Sequence, residues 1–104
     1  MIQRPNPERP RVSKPAEADG YVDNVTAGPG GVMTDDVGVI TGHLTVRTVP
    51  GDDEHSAHVT VQCTGAEEWY TLSGSPTPVL AGQLGAYHRG LLDRIQSGGA
   101  TQAT

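Results

Sequence analysis

Apolar and polar side chains alternate without a break along "AHVTVQCT", residues 57 to 64. Ala57, Val59, Val61 and Cys63 fall on one side, and His58, Thr60 and Gln62 on the other. A period of two, rich in β-branched residues, predicts a strand with one buried and one open face. The preceding segment "VITGHLTVRTV", residues 39 to 49, carries the same pattern, with Ile40, Leu44 and Val46 opposed to His43, Thr45 and Arg47. Between the two lies "PGDDEHS", a turn-rich acidic loop, and after them "GAEE" leads into a third strand, "WYTLS". Tyr21, Val22 and Val25 offer a short fourth strand, closed by a turn at "GPGG", residues 28 to 31.

The period then changes. Leu80, Leu84, Tyr87, Leu91 and Ile95 are spaced by four, three, four and four, which places them on one stripe of a helix. Thr77 is the expected N-cap, Pro78 the first helical residue, and Gly98 with Gly99 a left-handed stop. Gly82, Gly85 and Gly90 lie inside this segment, opposite the leucine stripe, at about 1 kcal/mol each relative to alanine. Tolerated drift is the expected reason, against the alternative that something approaches that face closely.

Register decides where the aromatic pair Trp69 and Tyr70 points, because neighbours on a strand face opposite ways. A two-residue turn at Gly65 and Ala66 sets Val61 opposite Tyr70 and Val59 opposite Leu72, so both join the valine face under the helix. Trp69 then lies opposite Gln62 and Thr71 opposite Thr60, on the polar face. A three-residue turn reverses all of this. The first register is the expectation, since it buries Leu72 with two valines.

The resulting fold class is α+β: an antiparallel meander of three to four strands packed on one C-terminal helix. Residues 1–20 hold prolines at 5, 7, 10 and 15 and little to bury, and read as a disordered, basic, Pro-rich arm. The domain spans 21–97, and 98–104 reads as a frayed tail. At 104 residues, with 35 % apolar content, four aromatic residues and no phenylalanine, the core is thin enough to make pairing with a second copy a natural remedy.

Charge narrows the choice of partners. Arg4, Arg9, Arg11 and Lys14 against Glu8 give the first fourteen residues a net +3, within a chain of −5 overall. An acidic body repels nucleic acid and anionic membranes, which leaves only weak contact through the arm. A single cysteine excludes an internal disulfide, and no apolar run long enough to span a membrane or to act as a signal peptide is present. A cytoplasmic location is expected.

Reactive chemistry finds little support. Cys63 falls on the apolar face by parity, where a thiol is inert, and the serines of "LSGSP" lack the glycine spacing of a nucleophile elbow. "GPGG" lacks the lysine and hydroxyl of a phosphate loop. His88 is expected to flank the leucine stripe, with no acid at helical spacing to orient it. Asp52, Asp53, Glu54, His55 and His58 bring carboxylates and imidazoles within seven residues, the weak candidates for a metal site, although their spacing fits no known loop or helix pattern. No cofactor is implied. The expectation is a small non-catalytic binding module that presents a Trp-centred polar face, Trp69 with Arg47, His43, His58, Thr60 and Gln62, to a protein or small molecule. The alternatives are a small enzyme or metal-dependent protein using His43, His58 and the Asp52–His55 loop, and a structural homodimer. The arm or the 21 to 33 segment lying across Trp69 would remove the binding surface.

Overall fold

The computed structural model describes residues 20–104. The expected disorder of the arm therefore concerns residues that lie, except for Gly20, outside the described ones. The chain runs β1 (Tyr21–Thr26), β2 (Val32–Thr34), β3 (Gly38–Ile40), β4 (His43–Pro50), β5 (Ser56–Cys63), β6 (Tyr70–Thr71), β7 (Thr77–Pro78) and α1 (Leu84–Ser97). An antiparallel sheet in the order β1, β4, β5, β6, with β7 also on β5, packs on this one C-terminal helix. No helix among the described residues is long and apolar enough to cross a membrane.

The continuous alternation over residues 39 to 49 divides into two strands. Gly42 adopts a left-handed φ of 91° and breaks the run, so that Ile40 ends β3, a hairpin with β2, while β4 starts at His43 and joins the large sheet. The short strand offered by Tyr21, Val22 and Val25 is a full one over 21 to 26 whose partner is β4, from Tyr21 opposite Thr48 to Thr26 opposite His43. Single bridges carry the sheet further: Thr34 of β2 meets Leu72, and Val32 meets Thr101. The β2–β3 hairpin and the chain's last residues thereby curl round towards the helix.

Leu44, Val46, Val59, Val61 and Leu72 from the sheet meet Leu91 and Ile95 of α1 in one core, closed by Val32 and Ala103. The β5–β6 register is the expected one, with Val61 opposite Tyr70 and Thr60 opposite Thr71. The turn that sets it differs: the Ala66 N–H bonds the Cys63 carbonyl, placing Thr64 and Gly65 at the corner, and pairing resumes only at Tyr70. Cys63 therefore has no β6 residue beside it, and the thiol predicted to sit in the core is exposed.

Two expectations fail at the C-terminal end. The helix begins at Leu84, not at Pro78, because Thr77 and Pro78 pair with Ala57 and Ser56 as β7 and Gly82 turns the chain with φ 81°. Leu80, predicted on the buried stripe, is 79 % exposed. The tail expected to fray from residue 98 is docked instead. Gly98 caps the helix with φ 83°, its N–H on the Arg94 and Ile95 carbonyls, after which the chain turns back, Thr101 bonds Met33 and Ala103 is buried.

Candidate functional site

The helix covers one face of the sheet and leaves the other open among the described residues. Alternation decides which residues go where: Leu44, Val46 and Thr48 face the helix, while His43, Thr45 and Arg47 face away. Register then aligns the open face into rungs. Val22, Arg47, Thr60 and Thr71 form one, and Asn24, Thr45 and Gln62 the next. His43 pairs with Thr26 at one end of the face and His58 with Val49 at the other. Five of the six residues expected to form the site thus stand on this face at strand positions.

The sixth, Trp69, immediately precedes β6 and is 41 % exposed. Extending the ladder by one residue puts it opposite Gln62. Because β6 lies beyond β5 in the strand order, the indole belongs to the side of the face, and its middle is Arg47 with Thr60.

Much of the face is already bonded. The Thr45 hydroxyl donates to Asn24 Oδ1 at 2.8 Å and lies 3.1 Å from the Thr64 hydroxyl. His43 Nδ1 is 3.0 Å from the Thr26 hydroxyl, and Gln62 Nε2 donates to the Ala66 carbonyl, bracing the Cys63–Ala66 turn. Arg47 is exposed and makes no side-chain hydrogen bond or ion pair with another described residue. Its guanidinium, with five donors in a planar fork suited to a carboxylate, is thus a polar group of this face without a partner among the described residues.

The 50 to 56 loop closes on itself. Asp53 accepts the His55 N–H at 2.9 Å and the Ser56 hydroxyl at 3.0 Å, and these bonds, the backbone one foremost, hold its carboxyl below the usual aspartate range. No three metal-ligating side chains converge among the described residues, so Asp52, Asp53, Glu54, His55 and His58 are not gathered into a cage. Beside this loop, Pro50, Asp52 and Glu54 face Val79, Leu80 and Leu84 across an open cleft of about 570 Å³. At the other end of β6, the Tyr70 hydroxyl donates to Glu68 at 3.0 Å, a bond that favours the neutral phenol and raises its pKa.

One constellation escaped the sequence reading. His88 is fully buried, 1 % exposed, rather than flanking the stripe. Its Nδ1 is 2.7 Å from the Thr48 hydroxyl, its Nε2 is 2.9 Å from Asp23 Oδ2, and its ring stacks on Tyr21. An ionised carboxylate only accepts, so in the neutral ring Nε2 carries the proton and Nδ1 takes the Thr48 hydroxyl proton. Hydroxyl, imidazole and carboxylate in this order have the connectivity of a nucleophilic triad. Thr48, however, is completely buried against the helix, so no substrate reaches its oxygen and the chain of bonds fastens α1 to β4 and β1. The acid that orients His88 lies 65 residues away in sequence, beyond any spacing rule.

These features define a small α+β protein with an open-faced antiparallel sheet. Comparison with known proteins finds no family model that matches the chain, no curated protein related to it and no solved structure similar to it.

Proposed function

We propose that the protein is a non-catalytic binding module that docks a partner on the open face of its sheet, with Arg47 and Thr60 in the middle and Trp69 at the side. The supporting observation is the ladder itself, a face that among the described residues is left uncovered and carries a guanidinium without a partner, and that ends in an exposed indole. Arginine and tryptophan carry a disproportionate share of binding energy at interfaces, the first through its planar charged fork and the second through a large, stiff contact area. His43, His58 and Gln62 frame the contact. We take the partner to be a protein, since arginine and tryptophan are typical anchors of protein interfaces. A cytoplasmic setting belongs to this reading, as the exposed Cys63 thiol has no cysteine to pair with in its own chain.

Trp69 emission with acrylamide quenching, read at low and high protein concentration, is the first test. Red-shifted, quenchable emission at every concentration is the expected result, and protection that grows with concentration would assign the face to a second copy. Arg47→Ala should change stability by no more than about 0.5 kcal/mol, since its side chain is exposed, whereas Trp69→Ala should cost more, because the indole is only 41 % exposed. Each should also weaken partner retention by roughly tenfold or more. Partner retention unchanged in both variants would defeat the reading.

A further inference from the structure

We propose that the open face takes an acidic peptide segment of a protein partner, an inference that rests on the binding-face reading above and adds the chemistry of what binds. Nine of the chain's twelve acidic residues lie between residues 20 and 104. Asp23 alone among them stands on a strand, on the helix-side face with Val25. The strand positions of the open face therefore carry no carboxylate, although the described body has a net charge of −6, from these nine acids against Arg47, Arg89 and Arg94. Of those three cations, Arg47 is on the open face and the other two are on α1. Two of the four histidines, His43 and His58, stand on the open face as well.

At the strand positions of this face an incoming carboxylate meets the Arg47 guanidinium, while the Asp36 carboxylate, which accepts the Thr71 N–H at 2.8 Å, stands at the far edge of the same rung. Arg47 has Val22 on one side of its rung, 56 % exposed, and the Thr60 and Thr71 hydroxyls on the other. A peptide side chain bearing a carboxylate can accept two bonds from the guanidinium, with its neighbours resting on Val22 and the threonine methyls. Long-range repulsion from the acidic body is screened by salt beyond about 8 Å. A polyanion is a poor fit: nucleic acid binding draws its strength from several neutralised phosphates, and the chain's only lysine, Lys14, lies in the arm.

The test titrates the isotopically labelled full chain with three peptides of about ten residues, alternating valine with glutamate, glutamine or lysine, a length that spans the sheet. The glutamate peptide should shift the amides of Arg47, Thr60 and Gln62. Its affinity should fall roughly tenfold in Arg47→Gln, as expected for the loss of a contact ion pair. The lysine peptide should leave these amides unmoved. If the glutamine or lysine peptide binds this face as tightly as the glutamate one, the acidic-partner inference fails while the binding face stands. Shifts from the glutamate peptide confined to residues 1–19 would move acid recognition to the arm and overturn the inference. No shift at the face with any peptide at millimolar concentration would overturn it too, and partner retention by Trp69→Ala and Arg47→Ala then decides the binding-face reading separately.

Discussion

His88 is a polar side chain on which the attachment of the helix depends. It occupies a core position, and both ring nitrogens are bonded, one to Thr48 inside the protein and the other to Asp23 at the margin. Replacing it with leucine keeps most of the volume but leaves the Thr48 hydroxyl buried without its acceptor, a loss of about 2–3 kcal/mol. Adding Thr48→Val should restore part of that, because the orphaned hydroxyl goes with it. Urea denaturation of the two single variants and the double checks both statements. A His88→Leu midpoint equal to that of the wild type would show that the bonds contribute nothing. Side-chain parity made Arg47, His43, His58, Thr60 and Gln62 legible in the sequence, since alternation alone sorts a strand into faces. It could not place His88, whose environment is built from β1 and β4, nor expose Cys63, whose burial depends on where the neighbouring strand begins.

At the level of elements, the helix separates two kinds of glycine. Gly85 is buried against β1: a Cβ there would come within 2.8 Å of the Tyr21 hydroxyl oxygen, and that ring is stacked on His88. A Cβ on Gly90 would meet nothing within 4 Å. Gly90→Ala should therefore stabilise the protein by about 1 kcal/mol, the full difference in helix propensity. Gly85→Ala gains the same propensity but must push Tyr21 off His88, and should be net destabilising. Denaturation midpoints of the two variants should move in opposite directions, and a stabilising Gly85→Ala would mean that the helix does not bear on Tyr21. Drift was thus the right expectation for Gly90 and close approach the right one for Gly85. The wheel could not tell them apart, because it shows which way a residue points and not which strand lies there. Likewise the repeat of leucines extended the helix back to Leu80, whereas β-pairing of Thr77 with Ala57 claims that stretch first.

For the molecule as a whole, the last four residues close the core. Thr101 bridges Val32 and bonds the Arg94 and Gly98 carbonyls through its hydroxyl, while Ala103 is buried and its N–H bonds the Ser73 carbonyl. The Tyr87 hydroxyl donates to the Ala103 carbonyl at 2.6 Å, and Arg94 reaches the carbonyls of Gln102 and Thr104. Val32 and Ser73 lie far from the tail in sequence, so a run rich in glycine and polar residues read as frayed chain. Its docking has a signature in pH. Burial is the main influence raising the Tyr87 pKa, against a smaller lowering by Arg94. A phenol whose folded value is raised contributes stability that is full below its ordinary value of about 10 and is lost as pH rises through the folded value. Urea midpoints measured from about pH 8 to 11 should therefore fall more steeply for the wild type than for Tyr87→Phe, at the alkaline end only. Removing residues 101–104 should lower the midpoint at every pH and flatten the same alkaline slope, because a Tyr87 no longer covered by Ala103 ionises more nearly as it does unfolded. Parallel curves for wild type and Tyr87→Phe would show that the tail does not bury the phenol in solution.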